Sequence, residues 1–279
     1  MYDAAVHALK TLVIAIVVAS CAPVAAQWVN HPTLGVPKGR DGKPNLTARA
    51  PRTADGKPDL SGLWRTRTIA MPGVEPATEP VAGSLNFPLE FVNIGVRLAG
   101  GLPFQPWARA LWQSRQDNLR LDSPAGRCQP VGILQRHTNA LPKKLIQTPG
   151  LLAILHEEDN EFRQIFTDGR TAPVDPLPAF NGYSTGRWTG DTLVVTTVGF
   201  KEEWWADRRG SPLTGAATVT EKFRRINYGS MDLEITVDDP KAYTKPWTIA
   251  LPQEIALNTE LMEYFCSENE KDGAHMRGK

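Results

Sequence analysis

In "TVTEKFR" (218 to 224), Glu221 falls between Val219 and Phe223 on the otherwise apolar face of an alternating segment. Thr218, Thr220, Lys222 and Arg224 take the opposite face. A carboxylate among core positions is costly unless a cation pairs with it or a proton neutralises it. Arg65 and Arg67, which share a face with Leu63 and Ile69, are the expected ionic partners and candidate ligand contacts. His156 follows Leu152 and Ile154 on one face of its segment, with Glu157 and Glu158 immediately after. An inward histidine near a carboxylate can act as a general base or orient a ligand. Glu221 and His156 are therefore the acid/base candidates. A buried ion pair and a satisfied core histidine are the plainer reading of the same residues.

The aromatic residues supply the binding candidates. Eight tryptophans is a high number for 279 residues. The long connection "GFKEEWWADRRGSPLTG" (199 to 215) sets Trp204 and Trp205 beside Asp207, and connections of this length are usually functional or mobile. Adjacent indoles can stack on an apolar or sugar ring, or plug the end of a core. Trp188, Trp204, Trp205 and Asp207, with Arg65 and Arg67, make up the expected ligand contacts.

Other chemistries find little support. His137 lies in "QRHTN", polar on both sides, and is expected at the surface. No two of the five histidines have metal-ligand spacing and no cysteine lies in a C-x-x-C, so neither a metal site nor a cofactor is expected. There is no G-x-S-x-G, Walker loop, G-x-G-x-x-G or H-E-x-x-H. Net charge is +1 without a basic block, which argues against a nucleic-acid partner.

The elements that must hold these groups are mostly strands. Period-two alternation runs through 63 to 70, 151 to 157, 161 to 167, 183 to 200, 217 to 226, 231 to 239, 246 to 251 and 260 to 268. Shorter strand candidates lie at 131 to 136 and 144 to 148. Only "FQPWARALWQSRQDNL" (104 to 119) reads as a helix, with Phe104, Trp107, Ala108 and Leu111 on one stripe. So many strands joined by short turns must manage their edges, and closure does so most completely. The expectation is an antiparallel up-and-down barrel of about 8–10 strands with one helix, a β-sandwich being the alternative. It forms a single domain over 61–279, entered through an irregular arm over 27–60. That arm repeats "DGKP" fourteen positions apart, which is turn chemistry rather than a solenoid, and reads as a lead-in rather than a site.

Residues 1–26 read as a signal peptide, with "TLVIAIVVAS" as its apolar stretch and cleavage before Gln27. "VASC" also fits a lipoprotein box that would lipidate Cys21 and anchor the protein to the membrane. Either way the mature domain faces the periplasm or is secreted. In such an oxidising compartment Cys128 and Cys266 are expected to form a disulfide.

The phrases "PRTADGKPDLSGLW", "GRWTGDTLVVTTVGF", "VTEKFRR", "VDDPKAYTKPWT" and "EYFCSEN" resemble a large family of exported proteins abundant in acidobacteria and other soil bacteria. The likeness covers essentially the whole mature chain and implies a calycin-like (lipocalin-like) barrel. Members of that family tend to carry a His and an acid before "VTE", whereas this chain has "GSPLTGAAT", so no catalytic residue carries over. Three functions follow as expectations. The first is binding of a small, largely apolar or aromatic molecule. The second is an enzyme (lyase, isomerase, cyclase or hydrolase) using Glu221 and His156 in the same cavity. The third is a structural lipoprotein of the envelope.

Overall fold

The two DGKP phrases fold into one turn written twice. In the first, Gly39 N–H donates to Lys43 O, Gly42 N–H to Gly39 O and Asn45 N–H to Pro37 O, at 2.8, 3.0 and 2.7 Å. Fourteen positions on, Thr53, Gly56 and Asp59 repeat the pattern onto Lys57, Thr53 and Pro51, each at 2.9 Å. Gly42 and Gly56 have φ of 76° and 79°, where a side chain would be strained. These details come from a computed structural model that describes residues 31–67, 93–139, 141–202, 204–266 and 268. The expected signal peptide, its cleavage site and Cys21 lie outside the described residues.

From the arm the chain enters β1 (Gly62–Thr66). The wall continues through β2 (Lys143–Thr148), β3 (Leu151–His156), β4 (Phe162–Phe166), β5 (Tyr183–Thr189) and β6 (Thr192–Val198). It then passes to β9 (Thr218–Arg225) and β10 (Ser230–Asp238). β11 (Trp247–Ala250) and β12 (Gln253–Ile255) share the far edge of β10. Because β10 pairs with β9 and β12 pairs with β1, the sheet closes on itself. Among the described residues the barrel has nine strands, in the order β10-β12-β1-β2-β3-β4-β5-β6-β9. β7 (Trp204–Trp205) and β8 (Pro212–Leu213) form a separate small hairpin.

Closure was the expectation, and the sandwich alternative does not apply. The wall departs from simple up-and-down order at one seam: β4 and β5 are parallel, because the Pro-rich connection over 167 to 182 carries the chain back before β5 begins. The segment at 131 to 136 is no strand. It opens α2 (Gly132–Thr138), after α1 (Pro106–Asp117). No strand forms over 260 to 266; the last rung is β12, and the chain beyond it is fastened by the Cys128–Cys266 disulfide, with Cα atoms 5.5 Å apart. α1 begins with Pro106 in its first turn, where a missing N–H costs nothing, and buries Ala108 and Arg115 while Trp107 stays exposed. No helix of the described residues is long and apolar enough to cross a membrane.

Alternation along the strands fills the barrel in levels. β2 points Lys143 and Leu145 inward, β3 Leu152, Ile154 and His156, β4 Arg163 and Ile165. β6 contributes Leu193, Val195 and Thr197, and β9 Val219, Glu221 and Phe223. Leu145, Ile154, Ile165, Gly186 and Val195 thus form an apolar belt. On one side of it lie Lys143, His156, Arg163, Ser184 and Thr197; on the other lie Gln147, Leu152, Thr167, Trp188 and Leu193. Gly186 is closely packed there. A Cβ at that position would come within 3.1 Å of Leu193 and Thr167 and 3.2 Å of Ile165.

Candidate functional site

The polar level is built around Glu221, which is 0% exposed. Arg163 clamps it with both prongs of its guanidinium: Nη1 donates to Oε1 at 2.8 Å and Nη2 to Oε2. Arg163 Nη2 also donates to Ser184 Oγ (3.0 Å) and Thr197 Oγ1 (2.9 Å), so β4, β5, β6 and β9 meet at one cation. His137 Nε2 lies 2.8 Å from Glu221 Oε1. Burial by itself favours the neutral acid, but the Arg163 charge and the bonds from Arg163 and His137 reverse this and hold Glu221 down to about 2. An ionised carboxylate only accepts, so His137 donates from Nε2. That leaves its buried Nδ1 without a hydrogen-bond partner among the described residues.

Three further basic groups surround this pair. Lys143 Nζ donates to Thr66 Oγ1 (3.1 Å), a hydroxyl that itself donates to His137 O (2.6 Å). Burial, opposed by the charge of Glu221, pushes Lys143 down to about 7. Burial likewise pushes His137 down to about 4, and His156 is driven well below its ordinary range by burial and by the cations around it. The His137 and His156 rings meet edge to face, with centroids 6.4 Å apart. Glu157 and Glu158 are engaged elsewhere than at His156. Glu157 accepts from Met262 N–H, and Glu158 pairs with Arg136 (2.6 Å) and Arg208 (2.8 Å).

α2 closes this end of the barrel, and all seven of its residues are buried. Gly132 at its start has φ of 73°, and a Cβ there would strike Trp204 Nε1 at 2.3 Å. The Trp204 indole donates to Val131 O (3.2 Å), and Gln135 donates to Trp205 O (3.1 Å). Trp204 and Trp205 are therefore covered by protein, one against Phe180 and the other under the Arg115 guanidinium. Asp207 is buried too. It accepts from the N–H groups of Ile94, Arg209 and Ser211 and from the Ser211 hydroxyl, and so ties its loop together.

Two sequence readings need correction. His137 is not at the surface: it is 1% exposed and touches Glu221. Polar residues on both sides of it suggested solvent, but a short helix buried all round hides polar and apolar side chains alike. Arg65 and Arg67 are not the partners of Glu221. They point outward and face Glu254, at 2.7 and 3.9 Å, because Trp64 takes the inward position of β1. Arg163 missed notice because it stands in "EFRQIFT", where its inward position is evident only once the face of Ile165 is fixed.

At the opposite end of the barrel the described residues leave an opening. Below the apolar belt lies a pocket of about 440 Å³ lined by Leu152, Leu193, Trp188, Pro149, Gln147 and Thr167. Its outer rim is the second DGKP turn, through Thr53, Ala54 and Asp55. Arg52 fastens that turn to the β5–β6 hairpin by a two-pronged pair with Asp191, at 3.0 and 2.6 Å. The doubled phrase is thus more than a lead-in, for its second copy helps to wall the pocket. Among the described residues no group of three or more His, Cys, Asp or Glu side chains could hold a metal ion. The chain matches no protein-family model and no curated protein.

Proposed function

We propose that the protein is an exported barrel that binds a small, largely apolar or aromatic molecule at the mouth beside Trp188. The observation that carries this reading is the pocket itself. Its volume falls within the range of roughly 300–1,000 Å³ usual for small-molecule sites, and Leu152, Leu193, Pro149 and the Trp188 indole give it an apolar floor. Thr53, Asp55 and Thr167 stand at the rim, where a polar substituent of the ligand would be met. The Cys128–Cys266 disulfide supports an oxidising, extracytoplasmic setting, as does the resemblance to exported soil-bacterial proteins. The intact mass of the protein recovered from cells distinguishes cleavage before Gln27 from a lipidated Cys21.

The test is titration with the neutral fluorescent probe N-phenyl-1-naphthylamine, alongside native mass spectrometry of the freshly purified protein. Saturable binding that is lost in Trp188→Ala, with the thermal midpoint little changed, is the expected result. Equal binding by Trp188→Ala and the parent would sink the proposal.

A second reading, an acid/base enzyme using Glu221 and His156, draws on the five ionisable side chains gathered in the polar level. Along β2, β3 and β6 that level is separated from the pocket by Leu145, Ile154 and Val195, so a ligand at the mouth would meet the belt and not the acid. Binding without turnover is the better-supported function.

A further inference from the structure

On the flank of the barrel, the turn after α1, the short 3-10 turn Ala125–Arg127 and the loop after β7 enclose a separate pocket of about 380 Å³. Arg120, Arg208, Arg209 and Ser123 line it together with Leu119, Ala125 and Gly126, and no carboxylate is among these lining residues. For a chain whose net charge is only +1, three guanidinium groups around one small space is a strong local imbalance.

Among the described residues, two of the three cations, Arg120 and Arg209, meet no carboxylate. Arg209 makes no side-chain hydrogen bond or ion pair with any described residue. Among the described residues the Arg120 side chain has one hydrogen-bond acceptor, the neutral Gln116 Oε1, at 3.3 Å. Arg208 pairs with Glu158 at 2.8 Å, a carboxylate it shares with the buried Arg136 at 2.6 Å. Asp122, close in sequence to Arg120 and Ser123, is directed to Arg115 at 3.5 Å.

The cationic groups are mounted on fixed backbone. Gln116 donates to Arg209 O, which pins the Arg209 backbone against α1. Arg120 N–H donates to Arg115 O at 2.7 Å, and Arg120 takes φ of 57°. The Ala125–Arg127 turn ends at Cys128, which the disulfide fastens to Cys266. Guanidinium forks match the paired oxygens of carboxylates, phosphates and sulfates, and charge-assisted hydrogen bonds to them are among the stronger polar contacts.

We infer that this pocket is a binding site for a small oxyanion, the carboxylate, phosphate or sulfate group of a ligand, held by Arg120, Arg208 and Arg209 with the Ser123 hydroxyl. It is independent of the mouth beside Trp188. Isothermal titration with inorganic phosphate, inorganic sulfate and citrate, in separate arms at ionic strength fixed with chloride, tests it on the full mature protein. Saturable one-to-one binding in any arm supports the site, and the arm that binds identifies the anion. Loss of one fork should weaken binding about tenfold or more in Arg209→Gln and abolish it in Arg120→Gln/Arg209→Gln. Arg209→Lys, which keeps the charge but not the fork, should fall between. Binding in none of the three arms, or binding by the double variant equal to that of the parent, overturns the inference.

Discussion

Arg163 on β4 and Glu221 on β9, separated in the wall by β5 and β6, join across the interior in a two-pronged ion pair without access to solvent. Such a pair is expensive to build and more expensive to break, because a single removal strands the surviving charge. Glu221→Gln should cost about 3–5 kcal/mol by leaving the Arg163 cation uncompensated. Arg163→Met combined with Glu221→Leu removes both charges and should cost less than Glu221→Gln or Arg163→Met alone. Urea midpoints of the three variants decide the matter. If the double variant is the least stable, the pair contributes more than the desolvation it incurs.

Acid should loosen the barrel in a defined window. His137 is held neutral down to about 4, whereas in the unfolded chain it takes up a proton near 6.5. Between those values the unfolded state binds the additional proton, so stability falls as pH falls, by roughly 3 kcal/mol for a shift of this size. His156 has the same sign. Lys143 extends the trend upward, since stability should climb as pH rises from about 7 towards its ordinary 10.5. Below its ordinary 4.5, Glu221 adds to the loss as pH falls towards about 2. Denaturant midpoints at pH 8, 6 and 4.5 should decrease in that order. A flat profile would mean that these side chains reach water when folded.

The disulfide closes a loop between residues 138 apart. On the chain-entropy view, a closure of this length contributes up to about 5 kcal/mol, less any native strain. The native protein should show no thiol reactive at Cys128 or Cys266. Reduction should lower the thermal midpoint and free the Cys266 segment first, since Cys266 N–H is otherwise held by the Asp159 carboxylate at 3.1 Å. An unchanged midpoint after complete reduction would show that hydrogen bonds alone suffice there.

Most strands were legible because alternation is a local signal, and closure followed from the need to hide their edges. Met231, Leu233, Ile235 and Val237 against Asp232, Glu234, Thr236 and Asp238 leave no doubt about which face is dry, and Glu221 stood out against its own apolar face for the same reason. The partners of Glu221 were not legible, since Arg163 and His137 reach it from 58 and 84 positions away. Nor was the β4–β5 parallel seam, which depends on where a Pro-rich connection delivers the chain. "GILQRHT" carries a helix in seven residues, too few for a helical period to declare itself. The role of Trp204 and Trp205 depended on what covers them, which no pattern in the sequence records.

Gly186 sets the depth of the mouth. Gly186→Ala places a methyl against Leu193, Thr167 and Ile165, two of which have direct contact with the pocket. Overpacking of this kind costs about 1–3 kcal/mol. Leu193 and Thr167 should yield toward the pocket, so probe affinity at Trp188 should drop along with stability. If affinity is kept while stability falls, the displaced side chains have moved into the belt instead.

The duplicated turn offers an internal control, because its two copies share a backbone and differ in what they face. Gly42→Ala and Gly56→Ala both place a Cβ at a φ near +78°, and neither added carbon would meet another atom within 4 Å. Each should therefore cost only the strain of the left-handed conformation, about 1–2 kcal/mol at most. Their consequences for binding should diverge. The first turn leads to Leu46 and Ala48, whose carbonyls receive Gly229 and Tyr228 N–H at 2.8 Å each, away from the mouth. The second carries Thr53, Ala54 and Asp55 along the pocket rim and is fastened through Arg52 to Asp191. Arg52→Ala removes the exposed pair with Asp191 and a hydrogen bond to Gly56 O (2.7 Å), which should change stability little, yet it frees the rim. Probe binding beside Trp188 should weaken in Gly56→Ala and Arg52→Ala and remain at the parent value in Gly42→Ala. Equal weakening in the two glycine variants would mean that general loosening of the arm, rather than the wall made by the second turn, governs entry to the barrel.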